Sequence, residues 1–180
     1  MTDQFLPSDY SEPSNSDEVK LKEGSTKLRL LQSPVFMASL WEDTDELKDD
    51  WKPKRKVTRV RLASEKDVPR GYKFAWLCLA YNYDDAKIQY WEVSQWSIRD
   101  SIVSLSQDPD IGSPLHYDIK VIRKGSWMKT EYSVQKLDKS EMPEKVIRDL
   151  ETLNVNFDHY IETWESPFNI AWTNTEDERF

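Results

Sequence analysis

Between residues 27 and 136 the apolar positions follow two different periods, and the switch between them divides the chain. Lys27–Gln32 sets Leu28 and Leu30 against Lys27 and Arg29, and Val57–Leu62 sets Val60 and Leu62 against Arg59 and Arg61. A period of two is the signature of a strand with one buried face. Tyr72–Asn82 is a long aromatic and aliphatic run, and Lys87–Val93 returns after the polar segment Asn82-Tyr83-Asp84-Asp85-Ala86, which predicts a hairpin. The period then lengthens. Ile98, Ile102 and Leu105 fall at i, i+4 and i+7, predicting an amphipathic helix with Ser94 as N-cap that ends before Asp108-Pro109. Alternation resumes in Tyr117–Lys124 and Thr130–Lys136, around a Gly125-Ser126-Trp127 turn. The four glycines, at 24, 71, 112 and 125, all lie outside these segments. The acidic, Trp-bearing stretch from Trp41 to Trp51 is assigned no strand.

Strand, strand, strand pair, helix, strand, strand is the order of the OB-fold, a five-stranded, partly open Greek-key barrel with one inserted helix. The expected fold class is therefore mainly β, with a C-terminal helical extension. In that extension Val146, Ile147, Leu150 and Leu153 share one helical face, and Phe157, Tyr160, Ile161 and Trp164 repeat the spacing. The expected organisation is a disordered acidic arm over 1–19, an OB-fold body over 20–137, the extension over 138–168 and a flexible acidic tail over 169–180.

Composition narrows the chemistry. With 4 glycines there is no phosphate-cradling glycine loop, and 1 cysteine with 2 histidines argues against disulfides and Cys- or His-based metal sites. The longest apolar run, Phe74 to Tyr81, is too short for a membrane span, which needs about 20 residues. No signal-peptide pattern opens the chain, so an intracellular location is expected, in the cytoplasm of the (host) cell. No cofactor is expected. The unusual feature is 8 Trp, 8 Tyr and 6 Phe in 180 residues.

The net charge of −8 conceals a segregation. Residues 1–19 carry Asp3, Asp9, Glu12, Asp17 and Glu18 and no base, and residues 138–180 are also strongly acidic. The body between them is basic, most steeply at 52–73. A basic body between acidic ends suits binding to a polyanion; a solvated charged face with solubilising ends is the plainer alternative.

Rings beside cations are what an unpaired nucleic-acid strand requires: bases stack on the rings while Lys and Arg track phosphates. Trp76, Tyr90 and Trp127 are the candidate stacking residues, set against the alternative that these rings pack the core. Lys54, Arg55, Lys56, Arg59, Arg61, Lys73, Lys120, Arg123, Lys124 and Lys129 are the candidate phosphate contacts. One catalytic pattern competes. Pro109-Asp110 followed by Asp118-Ile119-Lys120 spells the PD…DxK signature of Mg²⁺-dependent nucleases, in which carboxylates hold the metal and Lys positions water. Cys78, mid-strand in an apolar run, is expected in the core.

Several segments in order resemble the bacteriophage OB-fold single-stranded DNA-binding proteins. These are Lys20–Leu31 (KLKEGSTKLRLL), Lys73–Trp76, Tyr81–Tyr83 with Lys87–Val93, Tyr117–Gly125 with Thr130–Val134, and Asn156–Asp158 through Ser166–Phe168. The chain departs from that family in Ser126-Trp127 after Gly125 and in Trp91. The resemblance implies a protein that coats single-stranded DNA without sequence preference in replication, recombination and repair, and makes Asp118 and Lys120 strand residues. The ending Glu176-Asp177-Glu178-Arg179-Phe180 is similar to the acidic, Phe-terminated tails that recruit replication or recombination proteins. Glu176, Asp177, Glu178 and Phe180 are thus the candidate partner-binding residues. The expected function is a non-catalytic single-stranded DNA-binding protein, with self-association left open; the alternatives are the nuclease and an OB-fold protein–protein adaptor.

Overall fold

The computed structural model describes residues 16–168. Seven strands form one open antiparallel sheet: β1 (Gly24–Leu30), β2 (Val35–Leu47), β3 (Pro53–Leu62), β4 (Lys73–Asn82), β5 (Lys87–Val93), β6 (Tyr117–Lys124) and β7 (Glu131–Lys139). Helix α1 (Trp96–Gln107) sits between β5 and β6, and α2 (Glu144–Thr152) and α3 (Phe157–Thr163) follow the sheet. The expected five-stranded barrel is corrected in two respects. The sheet has seven strands, β2 being added to the six strand segments read from the sequence, and among the described residues no ladder joins β5 to β7, so the sheet is open.

The sheet is organised by one bent path. Along one edge of β4, β1 pairs through Leu30↔Ala80 and β2 resumes at Val35↔Leu77, five positions on this path against three on β4. The surplus falls at Gln32-Ser33-Pro34, and proline, lacking an N–H, suits an interruption of the ladder. The far edge of the path is shared: β6 pairs with β1 and β3 with β2. The other edge of β4 carries β5.

Both faces of β4 are buried, which explains why its sequence does not alternate. Trp76, Cys78 and Ala80 enter a first core with Leu28, Trp91, Val93, Ile98, Ile102, Tyr117, Ile119 and Val121, so β1, β4, β5, β6 and α1 meet there. Ala75, Leu77 and Leu79 enter a second core with Met37 and with Phe157, Tyr160 and Ile161 of α3. The helical extension thus roofs the outer face of the sheet.

β2 escaped the periodicity for the same reason at one end and another reason at the other. Its first half is apolar on both faces, and its second half, Glu42–Glu46, is acidic and of low β propensity. That half is held by its partner: Asp43 faces Arg55, Glu42 faces Lys56, and Lys54 reaches Glu46. α1 begins at Trp96 with Gln95, not Ser94, in the cap position, and Gln95 makes no capping bond. Residues 17–19 are ordered against β5, Val19 N–H bonding Tyr90 O and Tyr90 N–H bonding Asp17 O, both at 2.9 Å. Among the described residues no helix is long and apolar enough to cross a membrane.

Candidate nucleic-acid interface

Two hairpins present tryptophan to solvent at their tips. In the β6–β7 hairpin, Trp127 is 95% exposed and Met128 99%. The tip is closed by hydrogen bonds: Lys129 N–H bonds Ser126 O, Thr130 N–H bonds Trp127 O, and the Thr130 hydroxyl donates to the same carbonyl at 2.8 Å. Gly125 makes this closure possible, since a Cβ there would stand 2.3 Å from Lys129 O. Trp127 itself adopts a left-handed φ of 55°, uncommon for a bulky residue and costly unless its surroundings hold it there. Lys124 and Lys129 flank it, both exposed.

The β2–β3 hairpin ends alike. Trp51 is 82% exposed with φ 63°, in a turn closed by Trp51 N–H to Lys48 O and Lys48 N–H to Lys52 O. Lys54, Arg55 and Lys56 lie on the strand leaving that tip, beside the half-exposed Trp41 on β2. Trp51 was not among the residues singled out in the sequence; its signal was an aromatic in a polar turn between an acidic and a basic run.

The cations are less free than their sequence suggested. Arg55 pairs with Asp43 at 3.1 Å, Lys54 with Glu46 at 3.0 Å, and Arg61 with Asp158 at 2.6 Å. Such exposed pairs are worth about 0–1 kcal/mol, so a phosphate can replace the carboxylate at little cost. Arg59 is different: its side chain is 6% exposed beneath α3 and bonds Glu92 and the Tyr160 hydroxyl. Arg123 donates to Leu21 O at 3.0 Å. Lys73 is exposed near the β2–β3 hairpin and Lys120 half-buried on β6.

Two of the three stacking candidates are covered. Trp76 lies in the first core, 9% exposed, and Tyr90 lies under Tyr160 and Phe168, with ring centroids 4.9 and 6.2 Å away. Trp127 alone of the three is open to solvent. The structure therefore collects Trp127, Lys124 and Lys129 at one end of the β1–β2 path, and Trp51, Lys54, Arg55 and Lys56 at the other. It places Arg59 and Tyr90 in a third cluster under α3.

No family model, curated protein or solved structure matches this chain.

The residues of the nuclease-like pattern have other partners. Asp118 accepts from Arg29 at 3.1 Å and from the Tyr83 hydroxyl at 2.9 Å, with Lys27 at 3.6 Å. Burial and the Asp118 contact push the Tyr83 hydroxyl up to about 12. Asp110 N–H bonds Asp108 in the turn after α1. Among the described residues no three or more His, Cys, Asp or Glu side chains gather as metal ligands do. Glu176, Asp177, Glu178 and Phe180 lie outside the described residues.

Proposed function

We propose that this chain binds single-stranded DNA without sequence preference and performs no catalysis. The observation that carries the reading is the pair of tryptophan-tipped, cation-flanked hairpins, Trp51 and Trp127. An exposed tryptophan is costly for solubility and suits stacking by an unpaired base, while neighbouring cations suit the phosphates.

The topology supports the same reading. If β1 and β2 count as one bent strand, the ladders run β5-β4-β1/β2-β6-β7, with α1 entering between β5 and β6. That is the pairing order of an OB-fold opened between its third and fifth strands. OB-folds bind oligonucleotides through the loops joining strands one to two and four to five. Those loops correspond here to the segment carrying Trp51 and to the turn carrying Trp127. The acidic tail with Phe180 is proposed, on its sequence, as the handle for replication or recombination proteins. The working location is the cell interior.

Titration with oligo-dT, followed by intrinsic tryptophan fluorescence with and without Mg²⁺, tests the reading. Quenching without cleavage is expected. Cleavage in Mg²⁺ would favour the nuclease, and an unchanged spectrum would favour an adaptor whose exposed tryptophans meet protein.

A further inference from the structure

A third aromatic cluster lies away from both hairpin tips, where α3 crosses the sheet. Trp41, Arg59, Tyr90, Gln95 and Trp164 line a pocket of about 470 Å³ there. Arg59 is its unusual member. The guanidinium is held between two rings, 3.9 Å from the Trp164 centroid and 4.6 Å from that of Tyr160. Nη2 donates to Glu92 and to the Tyr160 hydroxyl, but Nε and Nη1 are buried without partners. Gln95 Oε1 is likewise buried and unpartnered. Buried donors and acceptors are nearly always satisfied, so two guanidinium nitrogens and an amide oxygen without hydrogen-bond partners in the lining of one pocket mark a place short of a ligand.

The walls define its chemistry. Glu18 and Glu92 line the same pocket, so the single positive charge of Arg59 is already balanced and an anion gains nothing there. Trp41 and Trp164 are 50% and 42% exposed and meet edge to face at 5.3 Å, offering flat apolar surfaces. Flat walls, no net positive charge and a donor set beside an acceptor fit a planar, uncharged heterocycle with both hydrogen-bonding functions on one edge. A nucleobase has that form.

We propose that this pocket receives one unstacked base of the bound strand, its acceptors toward Arg59 and a donor toward Gln95. Entry needs the Trp164 ring to swing off the guanidinium, which exchanges one stacked ring for another. Trp164 is placed for that movement. It is the residue that closes α3, in a left-handed conformation with φ 70°. The inference rests on the single-stranded DNA reading and deepens it, giving Arg59 a base where the sequence had suggested a phosphate.

The test is a two-dimensional ¹H–¹⁵N titration of the full chain with (dT)₈ and with an abasic strand of equal length. The Trp41 and Trp164 indole N–H and the Arg59 Nε–H resonances should move with (dT)₈ and stay with the abasic strand. If they stay while Trp51 and Trp127 move, the pocket proposal fails and the binding function stands. Equal movement with the abasic strand would show backbone binding there and also overturn the proposal. If nothing moves with either strand, both readings fall. Gln95→Leu removes an acceptor that the fold leaves unused, so it should weaken (dT)₈ binding about three- to tenfold with an unchanged melting temperature. Unchanged affinity in that variant would count against the pocket.

Discussion

Arg29 and Asp118 meet at 3.1 Å between β1 and β6, with side chains only 3% and 9% exposed. Arg29 also donates to Leu115 O and to the hydroxyl and carbonyl of Ser140, while Asp118 takes the Tyr83 hydroxyl. One buried pair thereby joins β1, β6, the β4–β5 turn and the start of the C-terminal extension.

Asp118→Ala should therefore cost about 3–5 kcal/mol in urea denaturation, since removing one partner leaves a buried charge uncompensated. The neutral acceptors left to Arg29 place the expectation at the low end. Arg29→Met combined with Asp118→Leu should recover most of the loss. Mg²⁺ should not change the melting temperature; a rise that disappears in Asp118→Asn would make this carboxylate a metal ligand instead.

Trp51→Ala and Trp127→Ala should each leave the melting temperature nearly unchanged, because neither ring enters a core. Each should weaken oligo-dT binding by about 1–3 kcal/mol if it stacks on a base. A large loss of stability with normal affinity would mean that the ring packs against the protein in solution.

The acids of β2 should act as a brake on binding. Asp43→Asn with Glu46→Gln frees Arg55 and Lys54, so affinity for oligo-dT should rise and its dependence on log[salt] should steepen by roughly 0.7 per phosphate gained. Stability should change little, these pairs being exposed. An unchanged slope would put the DNA elsewhere than the β2–β3 hairpin.

Cys78 is 1% exposed, and burial raises its thiol to about 12. Native protein at pH 8 should resist thiol reagents, with labelling appearing only as urea unfolds the chain. Below about pH 8.5 the thiol is protonated in both folded and unfolded states and contributes no pH dependence. Between there and about 12 the unfolded thiol ionises while the folded one does not, so stability should fall as pH rises. Rapid native labelling would contradict the burial.

The elements legible in the sequence were those with one buried face. Tyr117–Lys124 alternates because Tyr117, Ile119 and Val121 meet the first core, whereas Lys87–Val93, with Trp91 and Val93 in that core and Ile88 and Tyr90 against the second, is read from the polar turn before it. Ile98 and Ile102 show helical spacing because α1 covers only that core. What was hidden depended on pairing. The acids of β2 look like a loop until Arg55 and Lys56 are set opposite them, and Arg59 looks like a surface cation until α3 is laid over it. Tyr90 was indistinguishable from an exposed ring because Tyr160, which covers it, comes 70 positions later in the chain, and Trp76 because its core is closed by Ile98 and Ile102 of α1 and by β6.

The interruption at Gln32-Ser33-Pro34 has a mechanical meaning. One tryptophan-tipped hairpin hangs from each end of the β1–β2 path, and this short segment is the joint between the two arms. Both arms are laddered to the same strand, β4, which runs across the break like a splint. On the DNA-binding reading, that splint holds the distance between the two grips, while the grip at each end is set elsewhere.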